Sequence, residues 1–100
     1  MTAGLPGDLA HLRLPSVLAD LAGGERTISV SPADATVAGL LDAVAREHPV
    51  LVRRIRDETG ALRRFVNVYV DGEDVRHLDG LGTPVPRGGV VDVLPSIAGG

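Results

Sequence analysis

The chain has 100 residues, 44% of them hydrophobic and 23% charged, with a formal net charge of -3 and no cysteine. That balance is too apolar for disorder and sized for one domain with one core. It excludes disulfides, thiol nucleophiles and Cys-based zinc sites, and it provides no basic field to draw nucleic acid or an anionic membrane. All ten basic side chains are Arg, so the chain carries no side-chain amine, and its aromatic residues are Phe65 and Tyr69 alone.

Residues 1–8, "MTAGLPGD", have turn formers and no periodicity, and are expected to be a flexible leader. They lack the basic and apolar regions of a signal peptide, which makes a cytoplasmic location the expectation. The domain is expected over residues 9–95. In "LAHLRL" the apolar Ala10, Leu12 and Leu14 alternate with His11 and Arg13, the period of a half-buried strand, closed by Pro15. "PSVLADLAGG" fits either a loop or a helical turn. After the Gly23-Gly24 reversal, Ile28 and Val30 alternate with Thr27 and Ser29 in a second strand, expected to be antiparallel to the first.

The period then changes: Val37, Leu40, Leu41, Val44 and Ala45 form one helical stripe, predicting a helix over 37–47. Asp34 or Thr36 supplies its N-cap oxygen, and Pro49 ends it. "PVLVRRIRD" reads as a short second helix with Leu51 and Ile55 on one side, and "ETGALRR" as a connection. "FVNVYV" puts Val66, Val68 and Val70 on one face and Phe65, Asn67 and Tyr69 on the other; Asp71-Gly72 turns it into a short edge strand in "EDVRHL". "DGLGTPVPRGG" packs four glycines and two prolines into eleven residues and must be an irregular crossing. In the last strand, "VVDVLP", Val91 and Val93 share a face opposite Asp92 and Leu94. This order predicts an α+β fold, a mixed sheet packed on one main helix in the β-grasp, ubiquitin-like manner.

Candidate sites within the domain are weak. His11, His48 and His77 have no companions at metal spacing and read as exposed or half-buried structural residues, with no metal site expected. Gly80-Leu81-Gly82 lacks the remainder of a dinucleotide fingerprint, and the serines lie in no nucleophile elbow. Arg53, Arg54, Arg56, Arg63 and Arg64 form the one basic cluster, suited to an acidic partner, but a solvated face of a short helix and its following loop is the preferred reading because such runs are common. Glu73 and Asp74 are explained by a hairpin turn.

The end of the sequence, residues 96–100, is different. "SIAGG" follows a strand that stops at Pro95 and tapers from Ile97 through Ala98 to Gly99 and Gly100, a shape that lets a backbone enter a channel too narrow for any Cβ. The reacting group of such a tail is the α-carboxylate of Gly100. With a pKa of about 3.5 it is ionised and resists attack, so it needs adenylation by ATP on a partner enzyme, after which sulfide or a persulfide displaces AMP and leaves a thiocarboxylate. The domain offers no acid, base or metal for these steps, so the chain is expected to be a carrier and co-substrate, not an enzyme, with no cofactor of its own.

The element order, the glycine-rich crossing and "LPSIAGG" resemble the ubiquitin-like sulfur-carrier family, the group of the molybdopterin synthase small subunit and the thiamin sulfur carrier, over residues 9–100. "RFVNVYVDGEDVR" followed by "LPSIAGG" looks most like the actinobacterial carriers that serve cysteine biosynthesis. The resemblance implies adenylation and thiocarboxylation at Gly100 by an E1-like adenylating enzyme, a sulfur donor enzyme, and an acceptor that is either a PLP-dependent cysteine synthase or a molybdopterin synthase large subunit. It also implies an exposed apolar partner contact at Leu94, beside the tail contacts Ile97, Ala98 and Gly99. The leader departs from the compact family pattern. A modifier conjugated to other proteins through Gly100 shares the tail and the activation step and stays open as an alternative.

Overall fold

A computed structural model describes residues 9–95, and there the alternating segments form five strands in one sheet ordered β2-β1-β5-β3-β4. The strands are β1 (Ala10–Arg13), β2 (Thr27–Val30), β3 (Val66–Val70), β4 (Glu73–Asp74) and β5 (Val90–Pro95). β1 pairs antiparallel with β2 in the register Leu12↔Ile28, as expected, and parallel with β5 in the register Leu12↔Val91. β5 also pairs antiparallel with β3, from Val70↔Val91 to Val66↔Pro95, so the last strand is the central one. The result is the mixed sheet of a β-grasp.

The inward residues Leu12, Ile28, Val66, Val68, Val70, Val91 and Val93 meet the stripe of α2 (Val37–Ala45) in the core. Burying each such side chain contributes about 1.5–3 kcal/mol relative to leaving it in water. Thr36 caps α2, its Oγ1 accepting from the Gly39 amide at 3.1 Å, while its hydroxyl donates to Asp34 Oδ2 at 3.1 Å. Both candidate cap residues therefore act together. The helix ends two residues earlier than the pattern predicted, and α3 (Pro49–Ile55) follows with proline in its first turn and Leu51, Val52 and Ile55 buried. α3 completes the core cover beside α2. The ambiguous segment after β1 is helical: α1 (Ser16–Ala19) runs into a 3₁₀ turn, Asp20–Ala22.

Two expectations need correction. His11 is neither exposed nor half-buried: it is 1% exposed, with Nδ1 2.8 Å from Ser29 Oγ across the β1–β2 ladder. Alternation put it opposite the core, and the cross-strand hydroxyl gives the buried ring a polar partner. The edge strand expected across "EDVRHL" is only β4. Asp74 accepts from the Arg76 amide at 2.9 Å and caps a 3₁₀ turn, Val75–His77, that drops Val75 into the core.

Asp71 and Gly72 both take positive φ, 47° and 91°, the geometry of a two-residue hairpin turn whose twist matches its strands. Asp71 further receives the Val90 amide on Oδ1 at 3.0 Å and donates its own amide to the Val90 carbonyl at 2.9 Å. The hairpin turn thus sets the starting point of β5. The glycine-rich crossing is pinned to the α2 N-terminus by Val37 N–H to Thr83 O at 3.1 Å and Val85 N–H to Ala35 O at 2.9 Å.

Candidate functional site

β5 carries the chain from the middle of the sheet to its rim. Its inward residues Val91 and Val93 are buried, while Leu94 is 48% exposed on the outer face, opposite Asn67 of β3. Pro95 is exposed and pairs with Val66 in the last step of the ladder. Of the site residues expected from sequence, Leu94 is thus solvent-facing at the root of the tail. Ile97, Ala98, Gly99 and Gly100 lie outside the described residues.

The outer face next to Leu94 is organised by an ion pair. Arg13 and Asp92 sit opposite each other in the parallel β1–β5 register, and the guanidinium grips the carboxylate with two bonds, Nε to Oδ1 at 2.6 Å and Nη2 to Oδ2 at 2.9 Å. The hydrogen bond to Asp92, helped by its charge, raises the Arg13 pKa above its already high ordinary value. An exposed pair contributes little to stability, but a two-pronged one fixes geometry. Arg13, Pro15, Arg26, Thr27, Asp92 and Leu94 lie along one open groove of about 440 Å³ on this face.

On the opposite flank of the tail root, sequence reasoning singled out the arginines but not Phe65 or the bonds that brace its turn. The connection from α3 to β3 is braced: Asp57 Oδ1 accepts from the Thr59 amide at 2.8 Å, the Thr59 hydroxyl at 2.5 Å and the Ala61 amide at 3.2 Å. These bonds, led by the Thr59 hydroxyl, hold the Asp57 carboxyl below its ordinary pKa. Arg63 donates its amide to Ile55 O at 3.0 Å and Nε to Arg53 O at 2.6 Å. The Arg76 guanidinium bonds Asn67 Oδ1 at 2.8 Å, Val66 O at 2.7 Å and Arg63 O at 3.2 Å. Phe65, on this braced turn, is 70% exposed. Alternation had put it opposite Val66, which was the available signal; what it would stand among depends on α3. The basic cluster divides: Arg56 pairs with Asp42 at 2.8 Å on α2, while Arg53, Arg54, Arg63 and Arg64 remain exposed.

Among the described residues no three His, Asp or Glu side chains gather to hold a metal, and no helix is long and apolar enough to cross a membrane. What the geometry offers is a stiff sheet end, an exposed leucine and a braced flank on either side of the departing chain, which suits presentation of a segment to another protein.

The sulfur carrier protein CysO of Mycobacterium tuberculosis is 35% identical over 89 residues, covering 87% of this chain and 94% of that protein; its crystal structure superposes with a TM-score of 0.77, covering 88% and 99% of the two chains at 31% identity. Small archaeal modifier protein 1 of Haloferax volcanii is 36% identical over 87 residues, 84% of this chain and 95% of that protein, and its crystal structure superposes with a TM-score of 0.75 at 33% identity, covering 91% and 100%. A chain of the Amycolatopsis orientalis BexX/CysO complex gives a TM-score of 0.73 at 37% identity over 91% of this chain and 99% of that one. With the ThiS family model matching residues 12–100 as well, the chain belongs to the ThiS family of ubiquitin-like sulfur carriers.

Proposed function

We propose that the protein carries sulfur for cysteine biosynthesis on the carboxylate of Gly100. The observation that carries this reading is a ThiS-family match running through residue 100 onto the Gly99-Gly100 pair. Similarity to CysO, named a sulfur carrier protein, favours cysteine over other acceptors.

In the proposed cycle a Gly100 carboxylate oxygen attacks the α-phosphorus of ATP on an E1-like adenylating enzyme, releasing pyrophosphate and leaving an acyl-adenylate. Hydrosulfide then attacks the acyl carbon; a C–S bond forms, the C–O bond to AMP breaks, and a thiocarboxylate results. If a donor enzyme's persulfide is the attacking group, a thiol reductant cleaves the S–S bond. The thiocarboxylate sulfur displaces the leaving group of an activated serine derivative on a pyridoxal-phosphate enzyme. The acyl group next shifts from sulfur to the adjacent amine, and hydrolysis of that amide releases cysteine and restores the carboxylate. This chain contributes presentation: a tail narrowing through Ile97, Ala98 and Gly99 into partner channels, and Leu94 as an apolar docking contact.

A second reading, a protein modifier, is favoured by the likeness to small archaeal modifier protein 1. It shares the acyl-adenylate but ends in an amide to a lysine of another protein.

Intact mass spectrometry tests the proposal. With ATP, sulfide and the activating enzyme of its native host, the protein should exchange one oxygen for sulfur, and with the acceptor synthase it should gain one cysteine residue. A variant lacking Gly100 should do neither while melting normally. No sulfur exchange with an enzyme active on its other carriers overturns the reading, and conjugates to other proteins without a cysteinyl adduct move it to the modifier.

A further inference from the structure

Where β5 ends at Pro95, the turn bearing Arg63, Arg64 and Phe65 meets α3. Val50, Arg53, Arg54, Arg63, Phe65 and Val66 line one open depression of about 530 Å³. A second, of about 630 Å³, shares Arg63 and Phe65 and adds Arg64 and Arg76. Two features set this surface apart. It displays apolar area, with Phe65 70% and Val50 47% exposed, in a chain that has only two aromatic residues. It also displays an excess of positive charge: the ion pairs of the described residues are Arg13–Asp92 and Arg56–Asp42, both elsewhere. Asp57 is the one carboxylate lining either depression, and it offsets part of the charge of Arg63 alone. A protein of net charge -3 thus concentrates four exposed guanidinium groups around a phenyl ring.

The surface is also held in place. Phe65 stands on a turn fixed by the bonds of Asp57, Arg63 and Arg76, so a partner need not order it on binding, which removes a main entropic cost of association. Arginine and aromatic side chains at the centre of a patch are the groups that most often carry binding energy. Arginine's planar fork matches carboxylates with two bonds, selecting an acidic partner.

Position identifies which partner. The Val66↔Pro95 pairing sets Pro95, after which five residues of the sequence remain, next to the residue that follows Phe65. Five extended residues reach at most about 18 Å, so a protein that engages Gly100 must lie against this end of the sheet.

We propose that Arg53, Arg54, Arg63, Arg64, Phe65 and Val50 dock an acidic segment of the protein that engages the chain's C-terminal end. Its carboxylates pair with the guanidinium groups, and an apolar side chain of the same segment seats on Phe65 and Val50. The identity of the partner rests on the sulfur-carrier reading; the acidic, apolar-bearing character of the segment rests on the surface alone. The net negative charge of the whole protein disfavours the alternative occupant, RNA, whose binding grows with phosphate neutralisation.

The test is a titration of the full-length, 15N-labelled protein, followed by NMR, with an amidated peptide of alternating Glu and Asp around one Leu. Its Lys-substituted analogue and a short oligouridylate are titrated in parallel. The acidic peptide should shift amides confined to residues 50–54 and 62–66, with affinity falling steeply as salt is raised. Affinity should drop about tenfold in R53E/R64E and about fivefold in F65S. These side chains are exposed, and an unchanged spectrum away from the patch verifies the fold of each variant. No response, a response centred on Arg13 and Leu94, equal binding of the Lys peptide, or a stronger response to the oligouridylate each overturns the proposal. A silent patch beside normal sulfur exchange rejects the docking surface alone; a responsive patch without sulfur exchange rejects the carrier reading alone.

Discussion

Replacing Leu94 with Arg should separate docking from folding. Leu94 is 48% exposed, so about half of the roughly 2 kcal/mol that full leucine burial yields is still available to a partner. That half, about 1 kcal/mol, corresponds to about a fivefold loss of affinity on truncation to Ala. Arginine adds a charge that must be desolvated in an apolar contact, which should take the loss past tenfold, or about 1.4 kcal/mol. The fold should suffer less. The aliphatic stem of Arg can lie where Leu94 lies against its outer-face neighbours, so stability should fall by under about 1 kcal/mol and the melting temperature by under about 8 °C. Val93→Arg, one residue back and 1% exposed, should unfold the domain and so marks the other extreme. Calorimetric titration against the activating enzyme, paired with thermal melting, reads both quantities. Unchanged affinity in a folded Leu94→Arg protein would refute the docking role, and destabilisation approaching that of Val93→Arg would refute the assignment of the strand faces.

Gly39→Ala should destabilise the protein even though alanine is the better helix former by about 1 kcal/mol. A Cβ there would stand 1.9 Å from the Asp34 backbone carbonyl oxygen, which cannot swing aside as a side-chain tip could. Overpacking of this kind costs about 1–3 kcal/mol or more, so a urea midpoint equal to or above wild type would show that the 31–36 loop does not press on α2. The Asp57 turn should loosen in acid. Its pKa is lowered in the fold from 3.8, so its bonds stabilise the turn fully above that value and are lost as pH falls through the lower folded value. The Thr59 and Ala61 amides should then lose exchange protection below about pH 4 before the Val68 and Val91 amides do, and Asp57→Asn should flatten that pH dependence. Simultaneous loss at all four amides would mean that global unfolding, not this carboxylate, governs the turn.

Much of the architecture was legible because alternation, the α2 stripe and the Asp71-Gly72 turn are local: side-chain period follows from backbone geometry whatever the strand pairs with. The exposure of Leu94 beside the buried Val93 followed from that parity, and the tapering "SIAGG" from side-chain size alone. Local pattern could not say that β5 would become the central strand, parallel to β1, because partner choice is decided by which faces can be buried together. Nor could it show that His11, on the polar side of its strand, would be buried against Ser29, or that Val75 would leave the expected edge strand for the core. Gly39 lies in an ordinary helical stripe until the Asp34 carbonyl is folded onto it. The Phe65 surface is the clearest case: Val50 to Arg54 and Arg63 to Phe65 are separated by the Asp57 turn, and only the bonds that tie the turn before β3 to α3, from Arg63 to Ile55 O and Arg53 O, bring one exposed ring and four guanidinium groups together at the root of the tail.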